Sequence, residues 1–319
     1  MTTPRDHPLL DYLRLIRLPN LLIVAFTQYL LQYSLLVPAF EANGLQAALD
    51  LPHFSLLALS TMLIAASGYV INDLIDLPID RINKPATRII EKRISTRWAT
   101  IYYYCLIGSG FAISLYLAWY VSNLPLVLIY PTAVFLLYGY SRWWKAQVLW
   151  GNVVVALFCA LVAGIVFFAE RFTVNDLFLM DFAYGYETSL LFASYLLFAF
   201  LSTLLREIIK DMEDLYGDQQ LKYRTLPIVW GIPTAKRVAL LTGGILTALL
   251  LLGGYILWER GQWLIVLFLL IGIVLPLAYV LSALRRAVHS QDFHALSQFC
   301  KYIMLSGLVG LFLVAVGGD

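Results

Sequence analysis

Charge is scarce in this sequence. Of 319 residues only 13% are Asp, Glu, Lys or Arg, about half the share usual in soluble domains, while 61% are hydrophobic and the mean hydropathy is +0.78. A water-soluble globular domain is thereby excluded. Cysteines number only three, Cys105, Cys159 and Cys300, in or near apolar stretches and in no close-spaced metal pattern. That excludes a disulfide framework and predicts buried small hydrophobes. The four histidines, His7, His53, His289 and His294, are scattered, which argues against a histidine metal site or proton relay. Glycine-rich nucleotide loops, low-complexity linkers and long polar domains are also missing, so the chain reads as one domain over 1–319. The net charge of +2 says little, and no nucleic-acid partner is expected.

What the chain does have is apolar length. Windows of roughly 20 apolar residues predict nine transmembrane helices, near 12–37, 54–75, 97–119, 124–140, 148–169, 187–209, 234–256, 263–281 and 298–316. The fold class is all-α, a polytopic membrane protein. The runs are too long and continuous for the roughly 10-residue alternating strands of a membrane barrel. The polar start with Arg5, Asp6 and His7 argues against a cleaved signal peptide. Cytoplasmic loops collect Lys and Arg, and 20 of the 22 basic residues fall on the side of the N-terminus, with Arg171 and Arg260 opposite. The expected topology has the N-terminus cytoplasmic and the C-terminus external, in the inner (cell) membrane.

Ionisable groups inside such a chain are costly and usually functional. Six of the thirteen aspartates form two copies of one spacing, Asp73, Asp76 and Asp80, then Asp211, Asp214 and Asp218. Both copies follow long apolar runs on the basic, cytoplasmic side. On a helix, i, i+3 and i+7 share a face, and Asn72 adds a neutral oxygen four residues before Asp76. Pro78 and Gly217 weaken helix interiors, so Asp80 and Asp218 are expected at loop openings. Six like charges cannot share a small space without cations. Two Mg²⁺ ions bridged by a diphosphate would meet that need. Basic residues surround the motifs, among them Arg81, Lys84, Arg88, Lys92, Arg93, Lys145, Lys210, Lys222 and Arg224, which suits an anionic phosphate ligand better than a transported cation. One such triplet alone would more often be a solvated face or a cap, and the basic run 81–97 alone would be a topology signal or a contact to anionic membrane lipids. The duplication shifts the balance toward a metal site.

The first motif reads N-D-L-I-D-L-P-I-D-R-I-N-K-P from Asn72 to Pro85. The second reads R-E-I-I-K-D-M-E-D-L-Y-G-D from Arg206 to Asp218 and runs on to R-T-L-P at Arg224–Pro227. Weaker signals are R-L-P-N at Arg17–Asn20, and Y-G-Y-S-R-W-W-K ending at Lys145 with Gly151-Asn152 following. With these residues the chain resembles the UbiA superfamily of intramembrane prenyltransferases. The resemblance implies helices around a central dry cavity and Mg²⁺-dependent transfer of a prenyl group from a polyprenyl diphosphate. It implies metal ligation by Asn72, Asp76, Asp214 and Asp218, with Asp73, Asp80 and Asp211 supporting, and a catalytic set of Asp76, Asp80, Asp214, Asp218 and Lys145. Substrate would be held by Asn20, Arg81, Lys84, Arg88, Lys145, Asn152, Lys210, Lys222 and Arg224.

The second motif looks most like the geranylgeranylglycerol-phosphate geranylgeranyltransferase branch. That likeness implies geranylgeranyl diphosphate as donor and a lipid glycerol phosphate as acceptor. After Lys84-Pro85 the chain departs from the common basic-Pro-Leu-Pro-x-Gly pattern and reads A-T-R-I-I-E-K-R-I-S; Arg88, Lys92, Arg93 and Arg97 there suit a phosphorylated acceptor. Two other readings stand beside this one. An aromatic prenyltransferase of quinone biosynthesis would share the motifs. A cation or metabolite transporter would be expected to break its helices near the bilayer midplane, whereas these motifs lie at helix ends.

Overall fold

The computed structural model describes residues 8–83, 88–123 and 125–316, and among them it is helical with no β-strand. Contacts divide the chain into two compact units. The first unit, residues 1–29 and 47–144, carries α1 (Pro8–Leu15), most of α2 (Leu18–Leu30), α4 (Leu51–Ile75), α5 (Leu77–Asn83), α6 (Thr96–Tyr120) and α7 (Leu126–Gly139), which continues as a π-helical segment over Tyr140–Trp144. The second unit, residues 30–46 and 145–319, contains a π-helical segment over Leu31–Leu36, α3 (Val37–Ala42), α8 (Trp150–Ala169), α9 (Arg171–Met180), α10 (Phe182–Glu213) and α11 (Leu215–Gln220). It then adds α12 (Leu226–Glu259), α13 (Trp263–Leu269), a π-helical segment over Leu270–Val274, α14 (Leu275–Arg286) and α15 (Ser290–Val316).

Local chemistry explains where the long helices begin. Asp50, Ser95 and Asp181 accept from the backbone N–H groups of His53, Trp98 and Tyr184 at 3.1, 3.3 and 3.0 Å, capping α4, α6 and α10. Within the first unit α4 packs along α6 and α7, and Gly68 lets Leu137 approach its backbone. Within the second, α10 packs on α8, α12 and α15, with Gly307 against Phe198. Small residues that permit close backbone approach are the usual basis of helix packing in lipid. Many large apolar side chains point outward, Trp119 and Leu252 among them, as expected for surfaces that meet lipid.

Eight helices are long and apolar enough to cross a membrane among the described residues, so the chain is an integral, multi-pass membrane protein. The sequence predicts nine. The difference is 124–140: α7 there has 14 residues with Pro131 inside it, short of the roughly 20 a crossing requires, and the π-helical turns supply the remainder. The first expected span, 12–37, is also divided. Arg17 takes a left-handed backbone (φ 53°) and separates α1 from α2. α12 bends at Gly231, whose φ of 81° and ψ of 156° only glycine adopts without strain, and the predicted span 234–256 is the part beyond the bend. Of the three cysteines only Cys300 is buried; Cys105 and Cys159 are exposed on α6 and α8, because an apolar side chain on a membrane helix need not be covered by protein.

Candidate functional site

The two aspartate motifs share one local design. α4 ends at Ile75, Asp76 caps it by donating its backbone N–H to Asn72 O at 2.9 Å, and the chain bends and restarts as α5. In the second copy α10 ends at Glu213, Asp214 caps it by donating to Lys210 O at 2.9 Å, and α11 follows at once. Asp80 N–H reaches Asp76 O at 2.8 Å and Asp218 N–H reaches Asp214 O at 3.0 Å. The middle aspartate thus sits at the bend in each copy, with the third one turn beyond. This corrects the expectation that Asp80 and Asp218 open loops. Pro78 is the second residue of α5, where a missing N–H costs nothing, and Gly217 lies in a helix too short to be much weakened.

In the first unit, Asn72 Nδ2 donates to Asp76 Oδ2 at 3.0 Å. Asp73 accepts from Arg17 Nη2 at 3.2 Å, and the Arg17 guanidinium lies 4.6 Å from the centre of the Tyr69 ring. Asn20 Nδ2 reaches the Tyr69 hydroxyl at 3.4 Å. The R-L-P-N residues therefore anchor to α4 beside the first motif, and Asn20 meets Tyr69, not a carboxylate. Arg81 pairs with Glu91 through both Nε, at 3.0 Å, and Nη2; Arg88 pairs with the same carboxylate at 3.4 Å. The Arg81 guanidinium holds the Glu91 carboxyl below its usual range. Arg93 reaches the buried Asp11 at 3.0 Å. Glu91 and Asp11 were not among the residues singled out from sequence, although one acid inside a basic run was the available signal. Lys84 lies outside the described residues.

In the second unit, buried Asn152 on α8 donates from Nδ2 to Asp211 Oδ2 at 2.9 Å. That bond brings Gly151-Asn152 to the second motif. Asp218, on α11, is pushed up to about 6 by burial and then by the neighbouring Asp214 carboxylate, with Lys145 and Lys210 pulling the other way. Arg224 N–H is bound to Ala146 O at 2.9 Å, which ties the segment after the motif to the Lys145 turn. Lys222 is exposed with a left-handed backbone (φ 55°). Non-glycine residues in that region are strained and tend to gather at functional sites; here Arg17, Glu91, Leu149 and Lys222, each near one of the sequence motifs, adopt it, as does Ser122, which is near none.

Among the described residues, no group of three or more His, Cys, Asp and Glu side chains is gathered closely enough to hold a metal ion. Several of the carboxylates are instead turned onto protein partners: Asp73 onto Arg17, Asp76 onto Asn72, Asp211 onto Asn152. The chemistry of the set still fits a hard divalent cation. The donors are oxygens, two carboxylates are oriented by amides as metal-binding carboxylates commonly are, and the Asp214 carboxylate acts on Asp218 as a like charge.

The UbiA prenyltransferase family matches residues 35–303. A digeranylgeranylglyceryl phosphate synthase from Saccharolobus solfataricus is 31% identical over 310 residues, covering 96% of this chain and 96% of the relative. A solved structure concerning digeranylgeranylglyceryl phosphate synthase in membranes has a TM-score of 0.68 at 25% identity, covering 97% of this chain and 99% of the other. A UbiA homolog from Archaeoglobus fulgidus, solved bound to DMAPP and Mg²⁺, shares the fold with a TM-score of 0.53 at 21% identity, covering 93% of this chain and 98% of the other.

Proposed function

Because the chain belongs to the UbiA prenyltransferase family, and is thus a prenyltransferase, we propose that it moves a geranylgeranyl group from its diphosphate to a hydroxyl of a lipid glycerol phosphate. The observation that carries this is the repeated helix–bend–helix with an aspartate at each bend, in a chain 31% identical along nearly its whole length to a synthase of that product class. The whole chain acts as one catalytic domain. Its motifs lie on the cytoplasmic face of the inner membrane, and α7 with its π-helical continuation makes the ninth crossing, which leaves the C-terminus external.

Asn72 and Asp76 after α4, with Asp214 and Asp218 after α10, would hold the Mg²⁺ ions, and Asp73, Asp80 and Asp211 would support them. Bound there, the metal supplies positive charge to the departing diphosphate. Lys145, Lys210, Lys222 and Arg224 add donors to the same oxygens, and such preorganised charge acts most strongly where water is excluded. The C1–O bond of the donor breaks with its electron pair leaving on the diphosphate. The acceptor oxygen then bonds to C1 and its proton is lost. Asn152 and Asn72 keep Asp211 and Asp76 in place by donating to one oxygen of each.

One observation favours a second reading, an aromatic acceptor. Arg88 and Arg93 are taken up by Glu91 and Asp11, which removes two cations that would otherwise recognise an acceptor phosphate. Incubating the purified protein with radiolabelled geranylgeranyl diphosphate, Mg²⁺ and a panel of acceptors separates the two. Label is expected in the glycerol phosphate lipid; label in the aromatic acceptors alone would overturn the assignment.

A further inference from the structure

α10 presents its polar residues on two flanks. One carries Asp211, bound to Asn152 of α8. The other carries Arg206, Lys210 and Glu213, spaced i, i+4 and i+7, and it faces α15. There the two helices are locked in register: Ser290 Oγ donates to Glu213 O at 2.9 Å, Ser297 Oγ donates to Glu213 Oε2 at 2.9 Å, and His294 Nδ1 lies 2.6 Å from Glu213 Oε1. Ser290, His294, Ser297 and Lys301 follow the same helical spacing on α15. One and two turns inward from Glu213, Lys210 and Arg206 are close enough to Lys301 to act on it electrostatically.

Three cations therefore meet within two membrane-spanning helices, where a lone basic group is costly. Two glutamates offset the three cations in part: Glu207 pairs with Arg206, Glu213 is held by His294 and Ser297, and both act on Lys301 without pairing with it. Among the described residues Lys210 and Lys301 form no ion pair, and Arg206 Nε is buried without an acceptor. Arrays of this kind, a guanidinium with a free N–H beside two ammonium groups, suit a phosphomonoester.

We infer that this α10–α15 seam binds the phosphate of the acceptor lipid. The inference rests on the function proposed above and deepens it. Arg206 offers its N–H groups to the phosphate, Lys301 supplies charge from the opposite helix, and Lys210, next in sequence to Asp211, borders the donor side. The same cations would also attract a diphosphate, so the experiment must separate the two substrates.

Steady-state kinetics with both substrates varied do so. Exposed Lys301 tolerates change, so Lys301→Gln is expected to raise the acceptor KM about 10- to 100-fold, as for a charge-assisted hydrogen bond, with the donor KM moved less than about twofold. Arg206→Gln should act in the same direction and Arg206→Lys should recover part of the loss. An unchanged acceptor KM in Lys301→Gln and Arg206→Gln, or equal rises for donor and acceptor, would overturn the site while leaving the proposed reaction standing. Wild-type turnover of the dephosphorylated acceptor as fast as of the phosphorylated one would overturn the acceptor assignment itself, and this site with it.

Discussion

Glu91 holds two arginines at once, and its own backbone is left-handed (φ 72°). Its N–H closes the loop onto Ile94 O at 2.8 Å. The hydrogen bond from Arg81, with smaller contributions from the charges of Arg81 and Arg88, lowers its pKa from 4.5. A carboxyl depressed on folding stabilises the fold above its unfolded pKa and ceases to do so as pH falls through the folded value. The loop 88–95 is therefore expected to be protected at neutral pH and to open in acid. Hydrogen exchange corrected for intrinsic rates should show those amides protected at pH 7 in the wild type, and exchanging faster at pH 7 in Glu91→Gln. Equal protection in the two proteins would contradict this role. Sequence reasoning singles out the six aspartates because their spacing repeats, and Asn152 and Asn20 through short motifs. It passes over Glu91 because a single acid among bases has no periodicity, and the basic run around it is already explained by membrane topology.

At the level of elements, apolar length made the helices legible, and special backbone positions set where they end. Hydropathy predicts one span over 124–140 and does not register that the α-helix there, with Pro131 inside it, stops at Gly139 and continues as π-helical turns. Sequence places Asp80 and Asp218 at loop openings because Pro78 and Gly217 are weak formers in helix interiors, whereas both fall in the first turns of new short helices. Helix packing yields a direct test. A Cβ at Gly307 would lie 2.1 Å from Phe198 Cε1, whereas one at Gly244 would meet nothing within 4 Å. Gly307→Ala should destabilise the protein by about 1–3 kcal/mol, as overpacking usually does, and lower its thermal midpoint in detergent. Gly244→Ala should leave it unchanged or raise it slightly. Equal midpoints for Gly307→Ala and wild type would show that α10 and α15 do not meet there.

For the whole molecule, the proposed orientation rests on charge asymmetry, since 20 of the 22 basic residues fall on one side in the nine-crossing reading. A cysteine introduced as Lys92→Cys, in a protein whose Cys105, Cys159 and Cys300 are replaced, should react with an impermeant thiol reagent in inverted vesicles only. Reaction in intact cells would reverse the topology. The proposed reaction draws on both aspartate motifs, one in each unit. The most direct test is therefore geranylgeranyl transfer to the glycerol phosphate lipid by wild type, Asp76→Ala and Asp214→Ala at saturating Mg²⁺, with thermal unfolding measured in parallel. The account predicts a loss of at least about 100-fold in rate for each variant, the scale of removing one preorganised electrostatic element, with the thermal midpoint preserved. Near-normal turnover in either variant would contradict it.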